Sequence, residues 1–122
     1  MVRKYAILTL LWAVIVAVLL LLPGDDLPKK ELFKGFDKVV HVLLFGILSF
    51  LFVSIWEQRS SNIDWRIILI SFLVSFVYST LLEYLQNFIP GRQYDLIDLL
   101  ANSTGIVLGL TIWRIKNKFS FR

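Results

Sequence analysis

YAILTLLWAVIVAVLLLL, residues 5–22, carries no charged side chain, and it follows Arg3 and Lys4. At about 1.5 Å per residue this run is about 27 Å long as a helix, close to the ~30 Å apolar thickness of a bilayer. It ends at Pro23-Gly24 without a small-x-small cleavage pattern. Three more apolar runs follow it, so it reads as an uncleaved first membrane helix rather than a secretory leader.

The second run is Val39 to Trp56, interrupted only by His41. The third is Ile67 to Ile89, with Glu83, Gln86 and Asn87 near its end, and the fourth is Leu96 to Ile115, with Asp98 and Asn102 near its start. Backbone groups in lipid must find partners within their own segment, so each run is expected to be a helix. The expected fold is all-α: a single domain over residues 1–122 that forms a four-transmembrane-helix bundle. Composition agrees, because 57% hydrophobic residues with 18% charged and a mean hydropathy of +0.74 exceed what a soluble domain of 122 residues carries. Without cysteine there are no disulfides, thiolate nucleophiles or thiolate metal sites. The excess of 13 Lys+Arg over 9 Asp+Glu lies at the chain ends and between runs, which suits anionic lipid. Since no basic stripe interleaves with aromatics, nucleic acid is not an expected partner.

Placing Arg3, Lys4, Arg59, Arg66, Arg114, Lys116, Lys118 and Arg122 on the cytoplasmic side leaves Lys29, Lys30, Lys34, Lys38 and Arg92 outside. The larger group marks both termini as cytoplasmic, with Trp56, Trp65 and Trp113 as an aromatic belt at the inner edge. Three small-residue stripes at four-residue spacing, Thr9/Ala13/Ala17, Ser71/Ser75/Ser79 and Ala101/Gly105/Gly109, suit close helix packing. The Ala13/Ala17 and Gly105/Gly109 stripes also offer faces for a homo-oligomer.

Depth singles out one polar layer. His41 lies 16 residues from Glu57, Glu83 lies 17 from Arg66, and Asp98 lies 16 from Arg114. All three therefore sit about 24–26 Å above the inner boundary, just under the outer surface. Asp37 with His41, Glu83 with Gln86, and Asp98 with Asn102 pair up at three- or four-residue spacing, Asp95 extends the last face, and Arg92 sits one short loop away. Ionisable groups in a membrane turn towards partners, so a cluster of His41, Glu83, Arg92, Asp98 and Asn102 is expected.

The series Asp37-Lys38-x-x-His41, Glu83-x-x-Gln86 and Pro90-x-Arg92-x-x-Asp95-x-x-Asp98-x-x-x-Asn102-x-x-Gly105 resembles the VanZ-like family of small bacterial membrane proteins. The resemblance spans about Phe36 to Gly109. It implies a cell-envelope role in the bacterial cytoplasmic membrane, and the family's name comes from a member linked to teicoplanin resistance. It implies no particular reaction.

In the functional reading, His41, Glu83 and Asp98 are the catalytic candidates, and Asp37, Gln86, Arg92, Asp95 and Asn102 bind the ligand. That ligand would be a membrane lipid or lipid-linked envelope precursor with an anionic head group, held by the planar fork of Arg92. His41 and Glu83 would serve as base and acid, with Asp37 at i−4 to orient the imidazole. No activated serine or cysteine lies in the layer, so a covalent serine mechanism is not expected. Each residue also has a structural reading: Asp37 capping the second helix, Asp95 and Asp98 completing the first turn of the fourth, Arg92 neutralising Glu83 or Asp98, and Asn102 joining helices. No tight ligand spacing supports a metal site, so no metal ligand and no cofactor is assigned. Two other function classes stay open: a non-catalytic adaptor or lipid-binding protein whose cluster fixes packing, and a small transporter or proton relay.

Overall fold

The computed structural model describes residues 2–23, 35–60 and 62–120. Lys29, Lys30, Lys34 and Arg122, which entered the topology argument, lie outside the described residues. Four helices follow one another: α1 Val2–Leu21, α2 Phe36–Glu57, α3 Trp65–Leu85 and α4 Leu96–Ser120, with a single 3₁₀ turn, Gln86–Phe88, extending α3. No strand occurs among the described residues, and all four helices are long and apolar enough to cross a membrane. Large apolar residues such as Leu10, Val77 and Leu100 are exposed along their helices, as lipid-facing side chains are.

The boundaries have local causes. Gly35 stands before α2 with φ 84°, a left-handed conformation that suits glycine, and its carbonyl receives the amides of Lys38 and Val39. Asp37 therefore lies within the first turn of α2 and does not cap it. Asp64 caps α3 by accepting the Arg66 amide at 3.1 Å. Asp95 accepts the Ile97 amide at 2.8 Å and starts α4 in the same way. At its far end α4 runs on through Arg114, Lys116 and Lys118, past the apolar run, because these long basic residues are good helix formers.

The core is a column containing Val16, Phe45, Val53, Ile106 and Trp113. Trp113 is 1% exposed and its indole donates to Glu57 Oε2 at 2.9 Å, so it belongs to the interior and not to an aromatic belt; Trp65 is 67% exposed. The closest pairing is α2 on α4. A Cβ on Gly105 would overlap the Val42 carbonyl, and one on Gly109 would overlap the Gly46 carbonyl and the Ser49 hydroxyl. The glycine stripe is consumed inside the chain, and Ala13 and Ala17 likewise pack against the core. Trp12 donates to the Leu44 carbonyl at 2.9 Å and Tyr78 to the Ala13 carbonyl at 2.5 Å, which ties α1 to α2 and α3.

Candidate functional site

The end of α1, the start of α2, the end of α3 and the start of α4 meet at one end of the bundle, opposite the chain termini. There α2 presents Asp37, Lys38 and His41, α3 presents Glu83, and α4 presents Asp95, Asp98 and Asn102. His41, Glu83, Asp98 and Asn102 are all buried, and Glu83 and Asn102 are 0% exposed.

His41 is the hub. Its Nδ1 lies 2.7 Å from Asn102 Oδ1, and because an amide oxygen only accepts, the Nδ1–H donates there. Nε2 is 3.8 Å from Asp98 Oδ2, and Nδ1 is 3.7 Å from Glu83 Oε1. Neither carboxylate oxygen of Glu83 has a hydrogen-bond partner, nor does the amide nitrogen of Asn102. Asp37, expected to orient the imidazole, turns instead to Lys38, 3.0 Å away.

Lys38, a flanking charge and part of the Asp37-Lys38-x-x-His41 series with no site role expected from the sequence, organises the rim of the layer. Its ammonium contacts Asp37 Oδ2 and Asp95 Oδ2, each at 3.0 Å, and donates to Asp98 Oδ1. Asp98 thus shares its two oxygens between Lys38 and the His41 side. The Lys38 ammonium and the Ile97 amide hold the Asp95 carboxyl below the usual aspartate range. Among the described residues the layer gathers three carboxylates, Asp37, Asp95 and Asp98, around the Lys38 ammonium, and a fourth, Glu83, beside His41.

Arg92 and Gln86 do not enter this cluster. Arg92 donates from Nε to the Leu22 carbonyl at 3.0 Å and from its terminal nitrogen to the Leu19 carbonyl at 3.1 Å, while Gln86 donates to the Leu20 carbonyl at 2.8 Å. The last carbonyls of α1 have no following turn to bond, and these two side chains satisfy them. The expected ion pair of Arg92 with Glu83 or Asp98 is therefore replaced by Lys38 on Asp98.

Chemically, the site offers an imidazole with a free ring nitrogen, a buried carboxylate with two free oxygens and a second carboxylate anchored by lysine. One ligand atom from each of His41, Glu83 and Asp98 falls within 4.8 Å of the others. Their sequence separations of 42 and 15 residues hid this grouping. Of the buried serines, Ser79 donates to the Phe76 carbonyl, Ser49 to the Ile106 carbonyl and Ser54 to the Phe50 carbonyl.

No curated protein and no solved structure matches this chain. The VanZ/LLP1 family profile, however, matches residues 3–117, from the start of α1 almost to the end of α4. With the His41, Glu83, Asp98 and Asn102 layer inside that match, this chain belongs to the VanZ/LLP1 family.

Proposed function

We propose that the protein binds an amphiphile of the bacterial envelope and modifies its polar portion by acid–base chemistry in the layer of His41, Glu83, Asp98 and Asn102. The observation that carries this reading is Glu83: fully buried, beside His41, and without a partner for either oxygen. A fold gains nothing from such a group, and ionisable residues kept inside membranes are commonly functional. Asn102 orients His41 so that Nε2 accepts a proton, and Glu83 exchanges one with the departing or attacking oxygen of the substrate. Lys38 holds Asp98 in place. With Arg92 committed to α1, an anionic head group enters this carboxylate-rich layer only together with a compensating cation.

The apolar part of the substrate has a place to lie. A groove of about 310 Å³ along the α2–α4 seam starts at Val42, next to His41, and continues past Gly46 and Gly109. In this reading the layer faces the outer leaflet of the cytoplasmic membrane, where lipid-linked envelope precursors are exposed, and the family's link to teicoplanin resistance belongs to the same role.

The test is turnover in nanodiscs made from the polar lipids of the host bacterium, followed by mass spectrometry. Wild-type protein should consume one lipid class, and His41→Ala and Glu83→Gln should slow this by about 10²–10⁴-fold, the usual contribution of a positioned acid or base. In cells, a deletion strain should regain its teicoplanin phenotype with the wild type and not with Glu83→Gln. Equal turnover by the variants would remove acid–base chemistry from the site and leave the packing reading, in which the His41–Asn102 bond serves only to join α2 to α4.

A further inference from the structure

We infer that the layer is a metal centre: His41, Glu83 and Asp98 together hold one divalent transition ion, zinc or manganese. The inference rests on the proposed site and amphiphile, and it reassigns His41 Nε2 and Glu83 from direct proton transfer to holding the ion. Three observations lead to it. First, one ligand atom from each of the three side chains lies within 4.8 Å of the others, so a small inward movement of side chains brings all three to about 2.0–2.2 Å from a common ion. Second, Glu83 is 0% exposed and neither of its oxygens makes a close hydrogen bond, the facing groups being His41 Nδ1 at 3.7 Å and the Asn102 side chain. Third, the neighbours of the other two ligands are those that metal ligands need. A ligating histidine commonly donates its second ring N–H to an oxygen acceptor, and His41 Nδ1 does so to Asn102 at 2.7 Å, with Nε2 turned to Asp98 at 3.8 Å. A ligating carboxylate is itself held by hydrogen bonds, and Asp98 gives one oxygen to Lys38 while the other faces the imidazole.

Lys38 is not itself the counter-ion that the site needs. It serves Asp37, Asp95 and Asp98, and it bonds neither oxygen of Glu83. One imidazole nitrogen with two carboxylates is a borderline donor set that favours zinc or manganese over calcium, which seeks six to eight oxygens. Three protein ligands also leave positions open, as in catalytic rather than structural sites. The ion would supply the positive charge that lets an anionic head group enter, and would polarise an oxygen of the amphiphile.

The chain contains a single histidine, which makes the test specific. Tag-free protein in nanodiscs is loaded with Zn²⁺ or Mn²⁺ alone, desalted and analysed for metal content. The Mn²⁺ form is then examined by pulsed electron paramagnetic resonance for coupling to an imidazole nitrogen. About one ion per chain and a nitrogen signal are expected from the wild type, with near-complete loss of the ion in Glu83→Gln and His41→Ala. Asn102→Ala should weaken binding about 10–100-fold, as loss of a neighbour that orients a ligand does. The wild-type nitrogen signal decides the matter even if a variant fails to fold. Absence of a retained ion, an ion without nitrogen coupling, or equal retention by folded variants would each overturn the metal centre. Undiminished lipid turnover by chelator-treated protein would overturn it too while leaving the proposed function standing. A bound ion in a protein that turns over no lipid would do the reverse.

Discussion

Glu83 makes no close hydrogen bond, yet it occupies the middle of a buried polar layer. Asn102 is equally buried and does contribute, because its carbonyl oxygen receives the His41 ring N–H. The two residues should therefore respond in opposite ways to substitution. Glu83→Gln removes a buried carboxylate whose nearest cationic group, His41 Nδ1, stays 3.7 Å away, so relief of its desolvation should leave stability unchanged or slightly raised. Asn102→Ala leaves a buried imidazole N–H without its acceptor and should cost about 1–3 kcal/mol. Unfolding in mixed micelles followed by tryptophan fluorescence measures both. A loss of stability in Glu83→Gln as large as that in Asn102→Ala would make Glu83 a structural partner and remove the ground for its functional assignment.

At the level of elements, α1 is held at its C-terminal end by side chains from the α3–α4 connection. Arg92→Ala removes two charge-assisted bonds to the carbonyls of Leu19 and Leu22 and should cost about 1.5–3 kcal/mol, with faster amide exchange confined to the last turn of α1. Arg92→Lys should rescue little, since one ammonium does not reproduce a planar fork that spans two carbonyls. Unchanged exchange in α1 would contradict this capping role. The start of α4 responds to acid instead. Asp95 has its carboxyl held below the ordinary value of 3.8 by Lys38 and the Ile97 amide, so its contribution is present above that value and disappears as pH falls through the lowered one. Asp95→Asn keeps a capping oxygen but should flatten this acid dependence, which a pH series of thermal unfolding would show. A sequence shows that Arg92, Gln86 and Lys38 are polar and near the ends of helices, but not which carbonyls or carboxylates the fold brings within reach. That is why Arg92 looked like the partner of the acids and Lys38 like a flanking charge.

The whole bundle was far more legible, for a physical reason: lipid allows few backbone solutions, so four long apolar runs already dictate four helices. Depth counting then placed His41, Glu83 and Asp98 at one level, and the structure gathers them there. The glycine stripe was legible as a packing surface, but its partner was not. Gly105 and Gly109 face α2 of the same chain, so Gly109→Leu should disrupt the monomer itself. Topology follows from the same bundle, and the absence of cysteine allows a clean measurement of it. Asn62, between α2 and α3, and Gln93, between α3 and α4, are both exposed and lie at opposite ends. If the basic residues at the terminal end mark the cytoplasm, Asn62→Cys in intact cells should resist a membrane-impermeant maleimide until the membrane is opened, while Gln93→Cys should react at once. That pattern would set the polar layer against the outer leaflet. The reverse pattern would turn it towards the cytoplasm, and the amphiphile would then have to be one presented on the inner leaflet.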